Sequence, residues 1–283
     1  MNIYFVDKAS EGDTDLQVDA LRKYANLTDL DQADVIYLAT IRSMHKALAA
    51  RNHSGKPLAV YCWDFYSWAK DNKKHDRNDW NIYEQLLREA DIVFVPSKAT
   101  QLGLYEMFNI DSLVVHTGIN TYEGETKDAG YILDPVRYYP EEQAKWPEQA
   151  ASELGIPFIH SEHKYSLEEF REVVRNCTFM TCPYKEASTG GLTLMEGLYH
   201  GKQSLVSNSP YMGAKDYVGK YGVYFKHDSY EDFKENMLHM WTNRKIIDVN
   251  EARNYIANGY TFDNMAYTIY KHLCELTKNY SKE

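Results

Sequence analysis

Short apolar runs recur along this chain with helical stretches between most of them, and that rhythm restricts the fold more than any other feature. One set lies at Ile3 to Val6, Val35 to Ala39, Leu58 to Cys62, Ile92 to Val95 and Leu113 to Val115. A second follows at Tyr131 to Leu133, Pro157 to His160, Cys177 to Thr181, Ser204 to Ser207 and Val223 to Phe225. Runs of this length read as strands. Strands that alternate with helices form a parallel sheet, because each parallel neighbour is reached by a crossover. Two sets imply two Rossmann-like α/β halves. The 283 residues suffice for two domains of ordinary size, and 44% hydrophobic residues supply their cores.

Between the halves, Gly118 to Ala129 (GINTYEGETKDA) is polar and turn-rich, as an interdomain linker is. This places a boundary near residue 122, with an N-terminal domain over 1–122 and a C-terminal domain over 123–283. After Asp228 the pattern is mostly helical.

Composition narrows the function. No run of eighteen apolar residues is present, and MNIYFVDKAS enters a strand without a charged leader and apolar signal region, so a soluble, cytoplasmic protein is expected. Cys62, Cys177, Cys182 and Cys274 lack metal-ligand spacing and read as reduced thiols, the first three buried. A formal charge of −10 argues against a general nucleic-acid or membrane binder. One island disagrees: Arg42 to Arg77 holds eight Lys or Arg against three Asp, a local +5. A solvated helix face with a charged loop is the frequent origin of such a run, and an anionic acceptor is the other.

The densest chemical signal is Thr181 to Asn208, TCPYKEASTGGLTLMEGLYHGKQSLVSN. An apolar run gives way to Thr189-Gly190-Gly191, and Leu192, Met195, Leu198 and Tyr199 then recur at helical spacing until Gly201. Amides at such a helix start attract anions, and glycines let a phosphate approach the main chain. Glu196, further into the helix, is placed to accept hydrogen bonds from hydroxyls. A phosphate beside a diol suggests a nucleotide sugar.

GLTLMEGL followed by HGKQSLVS resembles the donor-site signature of the family 4 retaining glycosyltransferases, and at 283 residues the chain looks like a short member of that family. The resemblance implies the GT-B fold: two Rossmann-like domains facing a cleft, with a last helix, about Tyr260 to Leu276, crossing back to the first domain. Glu196 matches the family's second glutamate, which holds the nucleotide ribose. The first, which lies against the donor sugar, falls on Ser188, with Glu186 two residues upstream, and either residue is left as its replacement. Thr189, Gly190, Gly191, Leu192 and Thr193 complete the donor turn. The family's arginine and lysine on the diphosphate correspond to Arg137 and, one helical turn beyond the usual place at Glu142, to Lys145. Gly12, in Ser10-Glu11-Gly12-Asp13-Thr14, stands where the family often shows two adjacent glycines.

In the first half, Tyr61-Cys62-Trp63-Asp64-Phe65-Tyr66 ends a strand with a carboxylate among aromatics. Ligands of open α/β sheets bind at the carboxyl ends of strands, and the family often has a histidine or aspartate here, which makes Asp64 a candidate at the reacting centre. Trp63, Tyr66 and Trp68 offer flat surfaces for an acceptor, with Lys73 and Lys74 beside them; a core aromatic cluster is the plainer alternative. His116 and His160, at strand ends, read as structural, and His200 as a helix-surface or loop residue. No metal-binding motif appears, in keeping with a metal-independent enzyme.

The expected activity is transfer of a sugar, with retention, from a nucleotide diphosphate sugar, UDP-linked glucose or another hexose, to the hydroxyl of a carbohydrate or glycolipid, with no cofactor. Glucosylation of hydroxymethylated bases in DNA, a nucleotide-sugar 2-epimerase and a non-catalytic nucleotide-sugar-binding protein are the alternatives.

Overall fold

The computed structural model describes residues 1–6, 13–39, 43–63, 77–119, 121–135, 142–161, 165–185, 191–245 and 247–280. The chain divides into two compact units, Met1–Gly118 with Thr261–Glu283, and Ile119–Tyr260.

The first unit begins β1 (Asn2–Phe5), α1 (Asp13–Leu21), β2 (Asn26–Leu27), β3 (Val35–Leu38), α2 (Met44–Ser54) and β4 (Leu58–Tyr61). It continues with α3 (Arg77–Glu89), β5 (Ile92–Val95), α4 (Lys98–Phe108) and β6 (Leu113–Val114). The strands form one sheet in the order β2-β1-β3-β4-β5-β6, every pair parallel. Alternate side chains serve opposite faces, as the period of two requires. Ile36, Leu38, Val60, Val93 and Val95 meet Met44, Leu86 and Leu104 on one side. Val35, Tyr37, Ala59 and Phe94 meet Leu21 on the other. Burial on both faces explains why β3 and β4 are continuously apolar.

The second unit runs β7 (Ile132–Asp134), α5 (Trp146–Leu154), β8 (Phe158–His160), α6 (Leu167–Asn176), β9 (Phe179–Cys182) and α7 (Leu192–Tyr199). Then follow β10 (Gln203–Ser207), α8 (Ala214–Val218), β11 (Gly222–Phe225), α9 (Tyr230–Asn243) and α10 (Val249–Gly259). Its parallel sheet has the order β11-β10-β9-β7-β8. Ser166 opens α6 with a reciprocal capping box: its hydroxyl accepts from Glu169 N at 3.3 Å, and its own amide donates to the Glu169 carboxylate at 2.7 Å. Gly197 lets α7 lie directly on β9, since a Cβ there would fall 2.0 Å from the Met180 methyl.

A last helix, α11 (Phe262–Tyr280), returns to the first unit. Met265, Ile269 and Leu273 are buried in the core with Ile3, Leu21 and Tyr37, each contributing about 1.5–3 kcal/mol. Asp263 adds an ion pair to Lys23 at 2.9 Å and accepts from the Tyr24 hydroxyl at 2.8 Å. At Gly118 the main chain needs glycine, since a Cβ there would sit 2.0 Å from Phe262 N.

The division falls at Gly118/Ile119, close to the expected residue 122, and residues 121–129 pack within the second unit. The Tyr122 ring packs 4.7 Å from that of His200 and under the Arg171 guanidinium at 4.6 Å. Glu123 accepts from the Tyr199 hydroxyl at 3.0 Å, and Asp128 from the Thr178 hydroxyl at 2.6 Å. His200 is consequently buried, 1% exposed, and is not a surface residue. The two-residue β2 was also not anticipated. Cys62, Cys177 and Cys182 are buried free thiols, and no described helix is long and apolar enough to cross a membrane.

Candidate functional site

Ligands of open α/β sheets gather where neighbouring strands send their connections in opposite directions. In the second sheet that point lies between β7 and β9: the chain passes from β7 outward to β8, then returns on the other side of β7 as β9. In sequence, Arg137 falls between β7 and β8, and Glu186 to Gly191 between β9 and β10.

Of the turn, Gly191 is described. It is buried and precedes the first turn of α7, and its carbonyl accepts from Met195 N at 2.8 Å. Having no side chain, it cannot cap the amides that follow, and the helix start keeps roughly half a positive charge for an incoming anion. Leu192 and Thr193 are half-buried in the first turn. Glu196 is half-buried in the next, on the side that faces the docked segment. Burial raises the pKa of the Tyr122 hydroxyl, and the negative charge of Glu196 raises it further. Tyr122 escaped the sequence reading because it sits in a segment whose composition is that of a linker.

Lys145 closes a 3-10 turn, Glu142–Lys145, and is exposed immediately before Trp146-Pro147 begin α5. Trp63, half-buried past the end of β4, packs against Tyr61 with ring centroids 4.9 Å apart and joins the core of the first unit. Gly12, Asp64, Tyr66, Trp68, Lys73, Lys74, Arg137, Glu186, Ser188, Thr189 and Gly190 lie outside the described residues.

A polar group at the same strand ends was missed. Asp134, the last residue of β7, is fully buried. Its Oδ2 lies 3.2 Å from His160 Nδ1 and accepts from the Tyr184 hydroxyl at 3.4 Å. Asp134 and His160 are register partners across β7 and β8, and Tyr184 stands two residues past β9. The signal in the sequence is a carboxylate closing an apolar strand, Ile-Leu-Asp, directly before Pro135.

Beneath α7 the electrostatics favour neutral groups. Burial, with Arg253 and Arg175 nearby, lowers the His200 pKa to about 4, and burial pushes the Cys177 thiol up to about 12. Lys202 donates to the Lys127 carbonyl at 2.8 Å, and burial lowers its pKa.

No family model and no curated protein matches the sequence. Solved structures do match in shape. HepE of Anabaena, in complex with UDP-glucose, superposes with a TM-score of 0.71 at 12% identity, over 97% of this chain and 100% of that one. The fold is GT-B. Two further GT-B structures agree. The lipopolysaccharide outer core galactosyltransferase WaaB, in its apo form, gives a TM-score of 0.68 at 13% identity, over 96% and 99% of the two chains. Sucrose-phosphate synthase from Thermosynechococcus elongatus gives 0.67 at 12%, over 87% and 74%. Sequence identity at this level carries the fold across and leaves the residue roles to be argued from this chain.

Proposed function

We propose that this protein is a retaining glycosyltransferase that moves a hexose from a UDP-sugar to a hydroxyl of a carbohydrate or glycolipid, as a cytoplasmic enzyme without a metal. The observation that carries the reading is the glycine-led start of α7, with Glu196 in its second turn, on the connection that leaves β9 at the switch point of the second sheet; in sequence, Arg137 follows β7, the strand on the other side of that point. HepE, which shares the fold, was solved with UDP-glucose bound.

In this reading the Gly190 and Gly191 amides and Arg137, with Lys145, hold the diphosphate as its negative charge grows on departure. Glu196 accepts from the ribose hydroxyls. Glu186 or Ser188 contacts the donor sugar, and Asp64 lies at the reacting centre with Trp63, Tyr66 and Trp68 on the acceptor side. The bond from the anomeric carbon to the β-phosphate oxygen breaks as the acceptor oxygen bonds to the same face. The acceptor proton passes to the departing phosphate oxygen, which removes the need for a separate base.

Incubation of the purified protein with labelled UDP-glucose and a panel of saccharide, glycolipid and hydroxymethylated DNA acceptors, read by mass spectrometry and NMR, tests this. Label in an α-linked saccharide or glycolipid product is expected. An epimerised donor, label transferred to DNA, or binding without turnover across the panel overturns it.

A further inference from the structure

Segment 121–129 has the composition of a linker, yet it sends one aromatic ring against both α6 and α7. The centroid of the Tyr122 ring lies 4.6 Å from the Arg171 guanidinium and 5.7 Å from that of Arg175, both on α6, and 4.7 Å from the His200 ring just past α7. Arg171 and Arg175 are four residues apart and share one face of α6; Glu196 lies four residues before His200, on the same face of α7. Glu196 therefore stands one helical turn from a residue that the ring touches. The electrostatics agree, since the charges that act on the Tyr122 hydroxyl are those of Glu196, Arg175 and Arg171.

Packing alone would be served by phenylalanine. The Tyr122 hydroxyl is closed off from solvent and makes no hydrogen bond among the described residues. A buried polar group without a partner destabilises a fold, so stability does not explain why the ring carries an oxygen. Its surroundings explain it better. Burial and the negative charge of Glu196 raise the hydroxyl pKa, which leaves the group protonated, and a donor, at neutral pH. A carboxylate is the strongest acceptor available to such a donor, and with about four acceptor positions it can take this bond beside others. The two guanidiniums and the imidazole hold the ring in place.

We propose that Tyr122 is a positioning residue of the donor site: its hydroxyl donates to the Glu196 carboxylate in the nucleotide complex and so orients the oxygens that accept from the ribose. The bond forms as the nucleotide binds, because the hydroxyl has no partner in the unliganded protein. This assignment rests on the donor site proposed above.

Calorimetry of the full chain with UDP and with 2′,3′-dideoxy-UDP tests it, since the second nucleotide lacks the hydroxyls that Glu196 would hold. Tyr122→Phe keeps the ring and removes only the donor. It is expected to weaken UDP by roughly three- to thirtyfold and the dideoxy nucleotide by less than about twofold. Urea unfolding is expected to show the variant at least as stable as the wild type, because an unpaired buried oxygen is gone. In a Glu196→Ala background the same change is expected to have no further effect on UDP, as two residues acting through one contact are not additive. If UDP binds the wild type and Tyr122→Phe equally, the assignment is overturned while the donor site stands. Equal weakening of both nucleotides, or an undiminished effect without Glu196, also overturns it, by giving the tyrosine a role that does not pass through the ribose. A wild type that binds no UDP removes the donor site and this assignment with it.

Discussion

His116 and His160 look interchangeable in the sequence. Each follows two apolar residues and precedes a hydroxyl residue, Val-Val-His-Thr in one unit and Phe-Ile-His-Ser in the other. Each also closes the edge of a parallel sheet, just past β6 and at the end of β8. Their partners differ. His116 Nδ1 lies 3.0 Å from the Pro96 carbonyl, and nearby the Tyr61 hydroxyl donates to the Val115 carbonyl at 2.7 Å, so these polar groups are satisfied by the main chain. His160 Nδ1 meets a buried carboxylate. A carbonyl fixes a tautomer, whereas a carboxylate also stabilises a charge. The neighbouring strand, and not the local sequence, decides whether a strand-end histidine meets a carbonyl or a carboxylate.

If the second unit holds the charges that meet the donor, damage there should fall on nucleotide-sugar chemistry, and damage near His116 on stability alone. The largest effect is expected at Arg137, which follows Asp134 in sequence just after β7. Arg137→Ala should lower kcat by about a hundredfold or more, because the cation acts on charge developing in the transition state. Uridine affinity measured alongside should stay near wild type, and parallel loss of both would remove Arg137 from the diphosphate.

His200 extends the contrast to a histidine held neutral. Its folded pKa, about 4, lies below the ordinary 6.5, so the unfolded chain takes up the proton first as pH falls. Stability attributable to this group is complete above about pH 6.5 and is lost as pH drops from there toward 4. The loss amounts to at most about 3 kcal/mol. Urea unfolding at several pH values should show this slope in the wild type and a shallower one in His200→Gln.

Glu196→Ala comes next, with UDP affinity reduced by roughly ten- to a hundredfold through loss of charged hydrogen bonds to the ribose. Unchanged affinity in calorimetry would displace Glu196 from that role. The smallest effect belongs to His116→Ala: about 1 kcal/mol of stability and less than a twofold change in UDP-glucose affinity. A donor-binding defect of tenfold or more would show that His116 acts on the ligand and not on stability alone.

How much was legible follows from the range of the interactions. Strands such as Val35–Leu38 and Phe179–Cys182 show themselves because burial on both faces demands unbroken apolar runs. The start of α7 shows itself through the two glycines and the helical recurrence of apolar residues behind them. Asn26–Leu27 does not, since two residues carry no period and the edge of β1 recruits them. His200 was misread because its cover, Tyr122, comes from a distant polar segment. Asp134 needs the register between β7 and β8 before its partner can be named.

The return of α11 also bears on synthesis. Leu273 belongs to the same core as Ile3, so the first unit is discontinuous in sequence and the second is an uninterrupted segment within it. A ribosome emits residues 119–260 whole before the helix that completes the earlier-made sheet appears. Domains commonly fold as they emerge, amino-terminal first. Here that order is inverted: the later-made unit has all its parts while the opening strands still wait for theirs. Until then the apolar side of β1, β3 and β4 that receives Met265 and Ile269 lacks its cover.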